Sequence, residues 1–311
     1  MMYFVKEFSI MKEGVVMGRT KNKSMKWQVQ QLLISKLCIG QSRYEAKKEA
    51  KKIGKRTPDG IYSWETFNTY KKHCIYFAEW CKKTYGCKTI EEAKKYIQDY
   101  INYRIDNKIS AWTIKMEASA IAKMYGSSTS ELKLITPERK RKNIKRSRYS
   151  CIHDKHISEK KNKDIIDFCK GCGLRRHELA QLKTENIIIE GDNVYIEVLQ
   201  GKGGKRRIVE VLPEYREHIK SYHNDNVGKH VFKEIPQNID IHSYRAFFAC
   251  KLYKSLERPL NILTRQQKYY CKGDMKGIVF DRKAMMEISK MLGHNRINVI
   301  ASNYLWNLDT E

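Results

Sequence analysis

Tyr304 lies ten residues after the histidine of a Leu292-Gly293-His294 triplet. Upstream, in chain order, stand Gly173-Leu174-Arg175-Arg176-His177-Glu178-Leu179, then Gly201-Lys202-Gly203-Gly204-Lys205, then His242-Ser243-Tyr244-Arg245. Two arginines, a lysine, two histidines and a late tyrosine suit one chemistry: attack of a tyrosine hydroxyl on a phosphodiester without a metal. Such a reaction passes through a pentacoordinate phosphorus with extra charge on its non-bridging oxygens. Paired guanidiniums can donate forked hydrogen bonds to those oxygens, a role that falls to Arg175 and Arg245, with Arg176 facing elsewhere. A phenol ionises near pH ~10 in water, so attack at neutral pH needs a nearby cation or a histidine that takes the proton. A sugar alkoxide is a poor leaving group, and a lysine on a mobile hairpin can protonate it. Each residue alone has a plainer explanation. Arg175 and Glu178, three apart, could form a helix-surface ion pair. A lone histidine is more often a structural hydrogen-bonder, and a glycine-lysine turn could merely bind phosphate. It is the order of the four motifs that favours chemistry.

The bulk of the chain agrees. Among 311 residues, 61 Lys and Arg face 35 Asp and Glu, a formal net charge of +26. A field of that sign draws a polyanion, nucleic acid before an anionic membrane. No apolar run approaches the ~20 residues of a membrane span, and no secretory signal heads the sequence. The expectation is a soluble, cytoplasmic protein. Nine cysteines without regular spacing suggest reduced thiols. Cys169-x-x-Cys172 is half a zinc site at most. No second pair follows at finger spacing, so both cysteines are expected to pack as small hydrophobes, and no metal site is expected.

The length suggests two domains. Residues 1–56 read as a basic tail or arm, with Ser42 and Glu45 as a capping box. Residues 57–126 read as a compact helical domain. Ser63 opens a helix with Trp64, Phe67, Cys74, Phe77 and Cys81 near one face and Gly86 at its end. Thr89 and Glu92 open a second helix carrying Ala93, Ile97 and Ile101. Ser110 opens a third, with Ile114, Ala118, Ile121 and Tyr125 inward and Gly126 as the stop. Residues 127–149 read as a basic linker, with a breaker cluster at 127–130 and seven basic residues in ten from 139 to 148. Arg139, Lys140, Arg141, Lys142, Lys145 and Arg146 are its candidate DNA contacts, crossing the duplex to close a clamp. Residues 150–311 read as the second domain. Helices are expected over 163–170 and 175–182, strands over 186–189, 194–199 and 207–212, and a hairpin insertion over 268–280.

Those four motifs, in this order, resemble the tyrosine recombinases, also called the phage integrase family, over residues ~57–311. The resemblance implies a mainly α fold with a small antiparallel β-sheet: a helical SAM-like core-binding domain followed by an α/β catalytic domain. It implies Arg175, Lys202, His242, Arg245, His294 and Tyr304 as catalytic residues, with Glu178 orienting Arg175. His242 would be the general acid/base and His294 would hydrogen-bond the phosphate. Lys202 matches the family's lysine as the first of Gly-Lys-Gly-x-Lys, with Lys205 as the alternative. Lys205 and Arg207 would touch DNA. The implied activity is site-specific cutting and rejoining of double-stranded DNA through a 3′-phosphotyrosyl link, integrating or excising a mobile element. It needs no cofactor and no ATP. The implied assembly is a homotetramer formed on recombination sites by chains that are monomeric when free, with an accessory DNA-bending or directionality factor as a further partner. A type IB topoisomerase-like enzyme and a non-catalytic sequence-specific DNA-binding protein are the alternatives. Two departures stand out: 49 residues separate Arg245 from His294, more than is usual, and the His294-to-Tyr304 interval is one residue longer than the commonest spacing.

Overall fold

The computed structural model describes residues 23–55, 57–144, 157–201, 204–223, 228–294, 296–306 and 308. The chain divides into two compact units, Met1–Arg139 and Lys140–Glu311. Among the described residues no helix is long and apolar enough to cross a membrane.

The first unit contains α1 (Met25–Ile34), α2 (Arg43–Lys52), α3 (Trp64–Tyr85), α4 (Ile90–Ala93), α5 (Ile97–Asp106) and α6 (Ala111–Met124). First-turn N–H groups have no partner within a helix, and hydroxyls supply one. Ser24, Ser42, Ser63, Thr89 and Ser110 each accept from the backbone three residues on. The long α3 stops at Gly86, whose φ of +69° continues no helix. Phe67, Cys74, Phe77 and Cys81 are buried on one face of α3, and Ile114, Ala118 and Ile121 on one face of α6. Trp64, expected on that face of α3, is exposed at the first turn.

Two expected boundaries move. On α1, Met25, Val29 and Leu33 recur at i, i+4 and i+8 and are buried against α3. The Gln28 side chain also bonds Lys88 O and Ile90 N–H. So α1 belongs to the core of the first unit and is not part of a solvated arm; residues 1–22 lie outside the described ones. In the expected linker, Leu132 and Leu134 pack on the same core and Ile135 N–H donates to Gln98. The first half of 127–149 is therefore folded onto the first unit, and the division falls at 139/140.

In the second unit the elements run α7 (Lys163–Cys172), α8 (Arg176–Gln181), β1 (Ile187–Glu190), β2 (Asn193–Val198), β3 (Arg207–Glu210), α9 (Arg216–Lys220), α10 (Ile241–Leu256), β4 (Lys268–Tyr270), β5 (Val279–Asp281), α11 (Arg282–Met291) and α12 (Asn298–Asn303). The first three strands form an antiparallel sheet in the order β1-β2-β3. Ile196 sits opposite both Ile187 and Val209, so one face carries apolar residues into the core while Tyr195 and Glu197 point the other way. β4 and β5 form the hairpin expected at 268–280. Phe168 of α7 and Phe248 of α10 meet in the core. Cys169 and Cys172 lie in the same core, where burial pushes the Cys169 thiol up to about 12 and also raises the Cys172 thiol well above its ordinary value.

One buried ion cluster ties the first unit together. Glu117 on α6 has no exposed side-chain surface. It accepts two bonds of 2.9 Å from Arg104 on α5 and one of 3.0 Å from His73 Nδ1 on α3. Removing the carboxylate strands two half-buried donors. Glu117→Ala is expected to cost about 3 kcal/mol, read as a shift of the urea midpoint by tryptophan fluorescence. Trp27, Trp64, Trp80 and Trp112 lie in this unit. A loss below ~1 kcal/mol, the range of a surface pair, would contradict a structural role for the cluster.

Candidate active site

The site lies within the second unit, where α7, α11 and α12 end and α8 and α10 begin. α7 stops at Gly173, whose φ is +57°. A Cβ at this position would stand 2.6 Å from the Phe248 ring, so glycine is required for both the turn and the approach of α7 to α10. The Gly173 carbonyl accepts from Arg245 Nη1. On the far side, α11 stops at Leu292, which is fully buried. A carbonyl at a helix C-terminus lacks an intrahelical donor. The Leu292 carbonyl accepts from Nη2 of Arg175 at 3.1 Å and from Nη2 of Arg245. One backbone oxygen thus gathers both arginines. The physical content of Leu-Gly-His follows: the leucine anchors the turn, the glycine reverses it, and the histidine is delivered beside the guanidiniums.

Glu178 holds Arg175 from behind. Its side chain is fully buried, and it accepts from Arg175 Nη1 at 2.7 Å and from the Arg175 backbone N–H at 2.8 Å. Arg207 on β3 completes the set, donating at 2.9 and 2.8 Å to the two carboxylate oxygens. Burial alone would raise the Glu178 carboxyl. The Arg207 fork, the Arg175 backbone N–H and the Arg175 side chain outweigh it and hold the group down to about 2. Arg207 also donates to Met291 O at 2.7 Å, and its side chain is 8% exposed. Arg207, expected to touch DNA, is engaged within the protein, where it braces Glu178 and α11.

Tyr304 terminates α12 and is 3% exposed. Its hydroxyl accepts from Arg245 Nε at 3.1 Å and stands 3.0 Å from His294 Nε2. The same Nε2 lies 3.5 Å from Arg175 Nη2 and 3.4 Å from Arg245 Nη2. Because this nitrogen faces two guanidinium N–H groups, it is assigned as the acceptor, with the Tyr304 O–H donating to it. Ser289 fixes the other side of His294: the His294 N–H donates to Ser289 O at 2.7 Å and the Ser289 hydroxyl to His294 O at 3.1 Å. Arg245 is 1% exposed. Burial lowers its guanidinium to about 10, opposed by the Tyr304 oxygen and reinforced by the charge of Arg175; it remains a cation at neutral pH.

His242 sits in the first turn of α10, exposed, with its ring 5.4 Å from that of Tyr304. It lines a cleft of about 820 Å³ together with Arg175, Arg245, His294, Tyr304 and Lys205. Lys202 lies outside the described residues. On either side of it, Gly201 N–H donates to Lys205 O at 2.8 Å, between β2 and β3. Arg175, His242, Arg245, His294 and Tyr304, drawn from three distant stretches, therefore share one cleft.

The linker candidates fare differently. The Arg139 guanidinium lies 4.7 Å from the Trp112 ring centre within the first unit. Arg141 is engaged by Asp274 of the β4–β5 hairpin through its backbone N–H and side chain. Lys140 opens the second unit. The Lys142 side chain, Lys145 and Arg146 lie outside the described residues. Sequence reasoning missed Arg296 and Asp240 in the cleft lining and the carbonyls of Gly173 and Leu292. Backbone acceptors carry no side-chain signal, and Arg296 belongs to no recognisable spacing.

The Glu178 cluster makes a pH prediction. A carboxyl lowered in the fold stabilises it above its ordinary range, and that stability is lost as pH falls toward the folded value. The second unit should lose about 2 kcal/mol between roughly pH 5 and pH 2 from this group alone. Glu178→Gln should remove that part of the pH dependence while lowering stability at pH 7. An unchanged slope in acid unfolding of the variant would contradict the assignment.

No protein-family model matches the chain, and no curated protein matches it. Solved structures do. XerH site-specific recombinase bound to difH substrate in a pre-cleavage complex matches at 15% identity over 94% of each chain, with a TM-score of 0.52. XerH in a post-cleavage complex with palindromic difH matches at 15% identity over 92% of this chain and 93% of the other, TM-score 0.49. The Tn1549 transposon integrase in complex with circular intermediate DNA matches at 12% identity over 89% of this chain and 94% of the other, TM-score 0.47. The XerH likeness at 0.52 is one of fold: a mostly helical chain with small antiparallel sheets, the tyrosine-recombinase fold.

Proposed function

We propose that this chain is a site-specific tyrosine recombinase that cuts and rejoins double-stranded DNA, integrating or excising a mobile element. The observation that carries the proposal is the convergence on the Tyr304 hydroxyl, with Arg245 Nε at 3.1 Å and His294 Nε2 at 3.0 Å. Arg175 and Arg245 are held on one carbonyl beside it. The net charge of +26 suits a duplex partner.

In this reading the scissile phosphate enters the cleft and its non-bridging oxygens take the guanidinium N–H groups of Arg175 and Arg245. Tyr304 Oη attacks phosphorus. As the O–P bond forms, the phenol proton passes to a histidine; the geometry without DNA favours His294, with His242 at the rim as the other acid/base. The bond from phosphorus to the 5′ oxygen breaks, and that oxygen takes a proton from Lys202, or from Lys205 in its absence. The product is a 3′-phosphotyrosyl link and a free 5′-hydroxyl. The link conserves the phosphodiester bond energy, so a 5′-hydroxyl from a second duplex can reverse the step without ATP, and guanidiniums rather than a metal carry the charge. Four chains on two duplexes would complete strand exchange, and the basic run over 139–148 would close around the DNA.

The test uses nicked duplexes built from repeats that flank the gene, which trap the covalent intermediate. The wild-type chain should form a denaturation-stable protein–DNA adduct. Tyr304→Phe should abolish it with binding unchanged, and Arg175→Ala or Arg245→Ala should slow it about 10²–10³-fold. An adduct that survives Tyr304→Phe would point to another nucleophile. Site-independent relaxation of supercoiled plasmid would favour a type IB topoisomerase, and tight binding with no adduct a non-catalytic DNA-binding protein.

A further inference from the structure

The residue next to the catalytic arginine makes contacts that the proposed chemistry does not use. Arg175 and Arg176 are consecutive at the start of α8. Arg175 reaches Glu178, Leu292 O and His294. Arg176 reaches the segment just before α10: Nη1 donates to Pro236 O at 2.9 Å, and Nη2 donates to Gln237 O at 3.2 Å and to Ile239 O at 2.6 Å. Three backbone acceptors in four residues are gathered by one planar fork, a geometry that a lysine lacks. The segment it grips leads directly into the helix cap. Asp240 accepts from Ser243 N–H at 3.3 Å, and the Ser243 hydroxyl donates back to Asp240 O at 2.7 Å. Two residues past the last gripped carbonyl the first turn of α10 begins, carrying His242 and, one turn on, Arg245. Segment 236–239 has no strand or helix of its own to fix it.

We infer that Arg176 is a positioning residue that sets the first turn of α10, and with it His242, relative to Arg175. The inference rests on the recombinase reading for its catalytic consequence, but the staple itself is a property of the chain without DNA. Adjacent residues then define both walls of the cleft. One backbone position at the start of α8 fixes the arginine on one side and the entry of the histidine helix on the other, so the two cannot drift independently. The competing role is a direct phosphate contact, because Arg176 also lines the cleft.

The variant is Arg176→Met, which keeps the apolar stem and removes the fork. Hydrogen exchange of the DNA-free protein comes first. Amides over 239–245 should exchange about tenfold faster or more, while those of β1–β3 and α11 hold their protection. Unchanged exchange over 239–245 would overturn the staple; uniform acceleration across the unit would reduce Arg176 to general stability. On the nicked duplex the variant should form adduct about 10–100-fold more slowly, with affinity and its salt dependence unchanged. In a His242→Ala background the same change should cost little more, because both act through one turn of helix. A reduced salt slope with normal cleavage would assign Arg176 to phosphate instead, and full additivity with His242→Ala would show that it does not act through that histidine. If the wild-type chain forms no adduct, the recombinase reading falls, and the exchange arm still decides the staple.

Discussion

The second unit depends on a buried carboxylate that two arginines cannot do without. Glu178 takes four hydrogen bonds, from Arg175 N–H and Nη1 and from both arms of Arg207, and its side chain has no exposed surface. Without it Arg175 and Arg207 would repel each other across a desolvated gap. With it they link α8, β3 and, through Met291 O, the end of α11. Arg245 adds a third guanidinium nearby, and the cleft that Arg175 and Arg245 line holds more positive than negative side chains. A pentacoordinate phosphorane carries more negative charge than the diester it forms from. The same cluster that stabilises the fold therefore leaves a field suited to a transition state and less so to a singly charged ground state.

Backbone geometry does as much as side chains. The Leu292 and Gly173 carbonyls fix three of the guanidinium ends. The β2–β3 turn is pressed onto the cluster as well: a Cβ on Gly201 would fall 2.7 Å from Lys205 O and 2.9 Å from Arg207 Nη1. Glycine at 201 lets the end of β2 lie directly against the Arg207–Glu178 pair.

Much of this was legible in the sequence, for identifiable reasons. Local rules place the helix starts at Ser42, Ser63, Thr89 and Ser110 and the stop at Gly86, because capping depends on residues within one turn. The strands and the 268–280 hairpin follow from alternation and turn residues. The meeting of Arg175, His242, Arg245, His294 and Tyr304 follows from the order of motifs. The failures are tertiary. α1 looked like an arm because its apolar positions are few, and only its contact with α3 shows it to be core. For Arg207 the charge is visible in the sequence, and its burial against Glu178 is not. The split between the histidines was invisible too, since which imidazole meets the phenol depends on the Leu292 turn.

The most direct measurement is the identity of the residue that becomes covalently joined to DNA. The wild-type chain trapped on a nicked duplex, digested with protease and nuclease, and sequenced by tandem mass spectrometry should yield a nucleotide-bearing peptide modified at Tyr304 alone. A nucleotide on Tyr253, Tyr269 or Tyr270, or on a serine, would contradict the convergence of the arginines and His294 on the Tyr304 hydroxyl as the centre of the chemistry.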